Sequence, residues 1–403
     1  MSQSSPDRLH GLDALRAGAL LLGVVLHASM SFFPTDGVWM IGDADRSPLL
    51  SASFFVIHMF RMALFFLLAG YFGRMVINRL GTGRFALSRM KRIALPFLVF
   101  WPIMFVAFVA LFVWALYVQL GFLPQGGEQP PLNWRTIPLT HLWFLYVLML
   151  FYAVAVLARP AMSLISRIPA WTSLVDGAAK ALLATPLAAI ILGAAVGAAL
   201  VLAPTPVPVW FGVPSPDHGL IPNTPSLVAY GLAFGLGWVI QRGNFGFEAL
   251  KNQAFIYLIA AVGLTIYCLS VVGLTPDMTL QLSGGQMWAF GLAYGVGMWM
   301  WILGLVGLTL RFFNKANTRV RYMADASYWI YIIHLPLIVV LQIWMSQWQL
   351  PAEIKFALIL AISMPIMIAS YHWLVRGSFI GWVLNGRMYR KVKLAPEPEM
   401  QTQ

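Results

Sequence analysis

The sequence predicts an all-helical integral membrane protein with about ten transmembrane helices and both termini in the cytoplasm. Of its 403 residues, 60% are apolar and 10% are charged, and the mean hydropathy is +0.77. Many windows exceed the roughly 18 apolar residues that a membrane span needs. A soluble domain of this length would need more charge to cover its surface, so the composition excludes that class.

The apolar windows place the predicted helices in order along the chain. They lie near residues 12–32, 53–74, 93–118, 139–158, 180–203, 225–241, 253–274, 285–309, 325–348 and 353–375. Short loops rich in Lys and Arg stay in the cytoplasm, and the alternate loops that hold 21 of the 26 basic residues set the orientation. We divide the chain into a membrane domain, residues 1–380, and a basic, disordered cytoplasmic tail, residues 381–403.

Other features of the sequence narrow the class further. The net charge of +12 does not indicate nucleic-acid binding, because the basic residues are spread over membrane-edge loops and fit anionic lipid headgroups. The seven histidines and the single cysteine, Cys268, show no metal-ligand spacing and allow no intrachain disulfide. Two similar glycine-rich stretches, residues 231–237 and 291–297, lie in apolar helices, where they predict close helix packing.

The first predicted helix contains three ionisable residues, Asp13, Arg16 and His27. Such residues are costly inside a membrane and usually mark a functional site. Arg16 and His27 are eleven residues apart, so they share a helix face and lie about 16 Å apart along the axis. Asp13 is predicted to pair with Arg16 at the i,i+3 spacing.

The predicted helix ends sort the other polar residues by depth. His27, His58, His141 and Arg61 fall in the outer half of the membrane, whereas Arg16, Arg89 and Arg92 lie at its inner edge. Such an arrangement suits an enzyme that takes an anionic substrate from the cytosol and meets a second substrate on the far side.

Four motifs resemble those of the acyltransferase-3 membrane family, over residues 12–348. They are Arg16 with ten residues before His27, Arg89-Met-Lys-Arg92, His141-Leu-Trp and Ser327-Tyr-Trp through His334. The segment His58-Met-Phe-Arg61 is most similar to the branch of glucan biosynthesis proteins associated with succinylation of osmoregulated periplasmic glucans. Many family members have paired glutamates after the His-Leu-Trp segment; this chain has Leu148 and Met149 there, in agreement with that branch.

The resemblance implies a multi-pass acyltransferase of the bacterial inner membrane. Its co-substrate on the cytoplasmic side is acyl-CoA (succinyl-CoA or acetyl-CoA), its acceptor on the periplasmic side is a glucan, and no cofactor or metal is bound. O-acetylation of another cell-envelope or lipid-linked glycan is an alternative. A secondary transporter is the competing class, because intramembrane Arg, His and Asp also line transport pathways.

The chemistry of acyl transfer to a sugar hydroxyl suggests roles for the polar residues in the outer half of the membrane. The reaction needs a base for the hydroxyl proton, and histidine titrates near neutral pH, so His27 is the candidate catalytic residue. It could instead accept the acyl group covalently. Arg61 is a candidate for binding the succinyl carboxylate or the developing oxyanion. His58, His141 and His334 are candidates for holding the acceptor or assisting, with a structural role equally open for His334.

At the inner edge of the membrane, three arginines are candidates for binding the phosphates of acyl-CoA. Arg89 and Arg92 lie three residues apart at a helix start, where their guanidinium groups can bind phosphate together. Arg16 extends this basic path into the bundle. Asp13 has a structural role as the partner of Arg16.

Overall fold

A computed structural model describes residues 10–123, 131–203, 208–313, 315 and 317–386. This part of the chain is built from α-helices joined by short loops and short 3₁₀ or π-helical turns. The α-helices are α1 (His10–Ser29), α2 (Pro48–Leu80), α3 (Thr82–Arg89), α4 (Leu95–Leu120), α5 (Trp143–Ile165), α6 (Pro169–Leu183), α7 (Leu187–Val201), α8 (Thr224–Ile240), α9 (Phe247–Val272), α10 (Gly284–Phe312), α11 (Thr318–Met345), α12 (Ala352–Ser370) and α13 (Phe379–Asn385).

Most of the predicted membrane helices correspond to long apolar helices, which confirms the fold class. Within the described residues, eight helical segments of 23 to 39 residues are long and apolar enough to cross a membrane. The longest joins the polar helix α3 to α4 through the π-helical turn Met90–Ala94, and its apolar part, α4, corresponds to the predicted span 93–118. The other two predicted spans match the shorter helices α7 and α8, of 15 and 17 residues. The orientation of the termini stays a prediction.

The predicted helix 180–203 is wrong in one respect, because the chain bends by 95° between α6 and α7. Pro186 has no backbone N–H and disfavours helical geometry at Thr185, which stops the helix there. Side chains of α9 compensate for the break. Gln253 donates to the Ala184 carbonyl oxygen at 2.7 Å, and the Tyr257 hydroxyl donates to that of Thr185 at 3.0 Å.

Four helices form the centre of the bundle, and three lie at its edge. In α1, α2, α10 and α11, between 61% and 72% of the most apolar stretch is buried inside the protein. In α4, α9 and α12 that share is only 17% to 28%, which leaves large apolar side chains for the lipid. α1 packs against α2, α10 and α11. Asp13 of α1 and His334 of α11 are accordingly buried inside the bundle.

Glycines bring two pairs of helices into close contact, as predicted for the glycine-rich stretches. A Cβ at Gly237 of α8 would lie 1.9 Å from the carbonyl oxygen of Leu67 on α2. A Cβ at Gly295 of α10 would lie 2.1 Å from the carbonyl oxygen of Gly193 on α7. Both distances are too short for any real side chain, so these glycines are packing positions.

The C-terminal part of the described chain is folded beyond the predicted domain boundary at residue 380. α13 continues to Asn385 and packs against α11 and the π-helical turn Met90–Ala94. The first residues of the predicted tail are thus helical and packed on neighbouring helices, and the division into a membrane domain and a tail stays a prediction. Residues 387–403, the remainder of that tail, lie outside the described residues.

Candidate active site

Three histidines from distant parts of the chain meet at one end of the bundle. His27 lies in the last turn of α1, His141 in the 3₁₀ turn Thr140–Leu142 before α5, and His334 in α11. The ring centroids of His27 and His334 are 5.2 Å apart, and those of His141 and His334 are 5.5 Å apart. We call these residues the histidine cluster. The structure thus brings together three of the predicted site residues.

The hydrogen bonds of these rings set His27 apart from the other two. Nε2 of His141 lies 2.9 Å from the carbonyl oxygen of Ile332, and Nδ1 of His334 lies 2.8 Å from that of Tyr331. Because a carbonyl oxygen can only accept, these two nitrogens carry the proton. Nδ1 of His27 and Nδ1 of His141 are both buried without a hydrogen-bond partner among the described residues. Each of these two rings therefore keeps a nitrogen available for a substrate, and His141 is in addition anchored to the backbone through its Nε2.

Arg61 of α2 lies against α1, one helical turn from His27. A Cβ at Gly23 would come within 2.2 Å of the Nη1 atom of Arg61, so the guanidinium rests on this glycine. Gly23 and His27 are four residues apart and share a helix face. Nε of Arg61 is buried without a hydrogen-bond partner among the described residues. A buried donor of this kind is costly inside the bundle, which favours a role in binding a substrate.

His58 lies one turn before Arg61 on α2, but at the edge of the site. Its ring stacks on Phe54 at a centroid distance of 5.2 Å and meets Phe211 edge-on. Its Nε2 lies 3.0 Å from the carbonyl oxygen of Val213 and donates to it. His58 is within electrostatic range of His27, and its contacts fix it against the loop before α8.

Arg16 and the backbone of Arg92 contact neighbouring turns of α11 at the other end of the bundle. Nη2 of Arg16 donates to the carbonyl oxygen of Ala324 at 3.2 Å and lies 3.6 Å from the Asp13 carboxylate. The predicted pair of Asp13 and Arg16 is thus confirmed. One turn along α11, the Tyr328 hydroxyl donates to the carbonyl oxygen of Arg92 at 2.7 Å.

Arg89 lies next to these residues, across an aromatic pair. Its guanidinium carbon is 5.2 Å from the ring centroid of Phe85 and 5.6 Å from that of Tyr152. Its Nε is buried without a hydrogen-bond partner in the described part of the chain. Electrostatic interactions link Arg89 to Tyr328 and to Arg92. We call Arg16, Arg89 and Arg92 the basic cluster.

Two parallel helices set the distance between the basic cluster and the histidine cluster. Arg16 and His27 are eleven residues apart on α1, about 16 Å along the axis. On α11, ten residues separate Ala324, which contacts Arg16, from His334, which contacts His27. The two helices therefore hold the clusters at opposite ends of the same stretch of the bundle.

Comparison with known proteins identifies the family. A family model described as an acyltransferase domain matches residues 9–372. The chain belongs to the acyltransferase-3 family. Glucans biosynthesis protein C of Escherichia coli strain SMS-3-5 is 24% identical to this acyltransferase over 84% of both chains, and that of E. coli K12 strain DH10B is 23% identical over the same share. No solved structure matches the chain.

Two residues of the acyltransferase lie beside His27 without belonging to any motif. The Trp39 ring stacks on the His27 ring at a centroid distance of 6.1 Å and an interplanar angle of 27°. Gln342 donates to the carbonyl oxygen of His27 at 2.9 Å. Trp39 lies in the loop that follows α1, whereas Gln342 lies far along the chain in α11. A loop tryptophan or a glutamine in an apolar helix gives no spacing signal.

Tyr331 links two residues of the histidine cluster. His334 bonds the backbone of Tyr331, whereas the Tyr331 hydroxyl donates to the carbonyl oxygen of His141 at 2.7 Å. Tyr328 belongs to the other end of the site. Tyr331 thus fixes His141 and His334 together through its two ends. Thr140, with a φ of +54°, adds a strained backbone conformation directly before His141.

Proposed function

We propose that this acyltransferase moves a succinyl group from cytosolic succinyl-CoA to hydroxyl groups of a periplasmic glucan across the bacterial inner membrane. The observation that carries the proposal is the placement of His27 and the basic cluster at opposite ends of α1 and α11. A donor that carries phosphates needs basic residues to bind it, and an acceptor that carries hydroxyl groups needs a base. The two substrates need these groups at two separate places.

The basic cluster supports the binding of a phosphate-bearing donor. Arg89 and Arg92 lie within one turn and within electrostatic range of each other, and guanidinium groups bind phosphate oxygens through paired donors. The buried Nε of Arg89 is available for such an acceptor. Arg16 lies deeper along α1 and continues the basic surface toward His27. The acyl arm of the donor would extend from here toward the histidine cluster.

His27 is the proposed base. It takes the proton of a sugar hydroxyl as that oxygen attacks the thioester carbonyl; the carbon–sulfur bond then breaks, and the CoA thiolate leaves with the proton. The alternative is attack by His27 itself, followed by transfer of the acyl group from the imidazole to the sugar. Both routes require a ring nitrogen without a protein partner. Among the described residues, His27 and His141 each have a buried Nδ1 of this kind, and the position of His27 beside Arg61 and Trp39 favours His27 as the base.

Arg61 and the other histidines complete the proposed site. The guanidinium of Arg61 lies one turn from His27, in position to bind the free carboxylate of a succinyl group or the oxyanion that forms at the carbonyl. His334 packs against His27, His141 packs against His334, and His58 lines the acceptor side. A glucan acceptor is supported by the relatives named for glucan biosynthesis.

Mass spectrometry of envelope glycans tests the proposal. Periplasmic glucans are compared between deletion strains that carry the native protein, His27→Ala or His372→Ala at matched membrane levels. His372 is the matched control, because it contacts Tyr322 near the basic end. Succinyl ester masses are expected with the native protein and His372→Ala and absent with His27→Ala. Equal ester profiles in all strains, including the empty deletion, would contradict the proposal and favour a transporter.

A further inference from the structure

Trp39 covers one side of His27 and remains partly exposed. Its ring lies nearly parallel to the imidazole, at a centroid distance of 6.1 Å. An indole presents a large flat face with negative electrostatic potential, which suits the C–H groups on the face of a sugar ring. A sugar stacked there would place its hydroxyl groups beside the proposed base.

Gln342 fixes the plane of the Trp39 ring. Its Oε1 accepts from the indole Nε1 at 2.9 Å, while its Nε2 donates to the carbonyl oxygens of His27 at 2.9 Å and Ala28 at 3.3 Å. Gln342 is 1% exposed, so its amide group is held on both sides. The same residue therefore sets both the last turn of α1 and the ring that covers His27.

The loop that carries Trp39 is fastened on both sides of this residue. The Thr35 hydroxyl donates to the carbonyl oxygen of Pro276 at 2.7 Å. On the other side, the backbone N–H of Asp43 donates to Ser31 at 2.8 Å, and that of Ser47 donates to Phe32 at 2.9 Å. A fixed aromatic ring loses little conformational freedom when a ligand binds.

Other tryptophans near this end are less suited to stacking on a sugar. Trp143, which follows the His-Leu segment, is only 7% exposed and stacks on Tyr230 at 5.7 Å. Trp344 is 51% exposed, but it packs on Trp348 at 4.8 Å near the end of α11 and lies outside the ring contacts of the histidine cluster. Trp39 alone among these combines exposure with contact to His27 in the described residues.

We infer that Trp39 is the residue on which a sugar ring of the acceptor stacks beside His27, and that Gln342 is the positioning residue that holds its indole. The inference rests on the proposed function, since it assumes a glycan acceptor. It assigns the acceptor-binding surface to the loop after α1.

Binding of a linear gluco-oligosaccharide to the full-length protein in lipid nanodiscs tests this inference without requiring catalysis. Trp39→Ala is expected to weaken binding about tenfold, whereas Trp39→Phe keeps an aromatic face and weakens it less than about threefold. Trp344→Ala is the matched control and is expected to bind as the native protein does. In acyl-transfer assays, Trp39→Ala is expected to raise the KM for the acceptor while the KM for acyl-CoA stays unchanged.

The Gln342→Leu variant distinguishes a role in positioning the Trp39 indole from a general role in the stability of the fold. It is expected to weaken oligosaccharide binding in the native background but not in Trp39→Phe, which has no N–H for Gln342 to hold. Native affinity in Trp39→Ala would overturn the inference and leave the proposed function standing. A native protein that transfers acyl groups but does not bind the oligosaccharide would overturn the glucan acceptor and the inference together.

Discussion

The buried histidines of the site are held in two different ways. His58, His141 and His334 each donate to a backbone carbonyl oxygen, which fixes both ring orientation and tautomer. His27 is held instead by ring contacts with Trp39 and His334. Its orientation is therefore set by packing, and its Nδ1 has no hydrogen-bond partner in the described part of the chain.

Gly23 offers a test of the Arg61 position that leaves every polar group in place. Gly23→Ala would put a methyl group within 2.2 Å of Nη1 and push the guanidinium away from its place near His27. We expect acyl transfer to fall at least about tenfold, while alanine keeps or raises helix stability by up to about 1 kcal/mol. Activity and thermal unfolding are measured together.

Gly18 provides the control for this experiment, because a Cβ at Gly18 would meet no atom within 4 Å. Gly18→Ala lies on the same helix and is expected to keep native activity. Equal activity of the two variants would contradict the proposed position of Arg61.

Arg61→Gln distinguishes the two roles proposed for the guanidinium. If Arg61 binds the succinyl carboxylate, its loss should reduce succinyl transfer much more than acetyl transfer, by about ten- to a hundredfold for a charge-assisted hydrogen bond. If Arg61 stabilises the oxyanion, both transfers should fall equally. The measurement is the ratio of kcat/KM for succinyl-CoA and acetyl-CoA. An unchanged kcat/KM for both donors would contradict either role.

At the level of elements, the loop after α1 is fixed to α12 by a buried ion pair. The Lys355 ammonium lies 2.6 Å from the Asp43 carboxylate, and their side chains are 1% and 2% exposed. Nζ of Lys355 also donates to the carbonyl oxygen of Trp348 at 2.9 Å. The pair closes the same loop that carries Trp39.

Breaking this pair should destabilise the protein strongly. Asp43→Asn leaves the Lys355 charge buried without its partner, which costs about 3–5 kcal/mol and lowers Tm. The matched control is Asp36→Asn, because Asp36 pairs with Arg46 but is 84% exposed, and such pairs contribute about 0–1 kcal/mol. Thermal unfolding in detergent measures both. Similar melting temperatures for the two variants would show that the buried pair does not fix the loop.

The sequence predicts helices better than it predicts their interruptions. Apolar length alone locates the long spans, because the membrane requires it. The bend between α6 and α7 is harder to predict, since its freed carbonyl groups are satisfied by Gln253 and Tyr257 of a distant helix. The candidate site shows the same difference between residues that a local pattern predicts and residues that depend on distant contacts. The motif residues His27, His141 and His334 can be predicted to cooperate, whereas Trp39 and Gln342 depend on contacts across the fold.

At the scale of the whole molecule, the basic cluster, proposed to bind the acyl donor, and the histidine cluster, proposed to bind the acceptor, lie at opposite ends of the bundle. Replacement of Arg89 or Arg92 by Gln should therefore raise the KM for acyl-CoA, by about tenfold for each lost phosphate contact, and leave the KM for the acceptor nearly unchanged. Lys91→Gln is the control, because Lys91 lies between them and is exposed. Equal increases in both KM values would contradict the assignment of the donor end.

Sided acyl transfer in proteoliposomes tests the central claim most directly. The purified protein is reconstituted in one orientation, with labelled acyl-CoA and a glucan acceptor placed on the same side or on opposite sides. We predict labelled glucan only when acyl-CoA faces the basic cluster and the glucan faces the histidine cluster, and none with His27→Ala. Labelled glucan that forms only when acyl-CoA and the glucan are on the same side would contradict acyl transfer across the membrane.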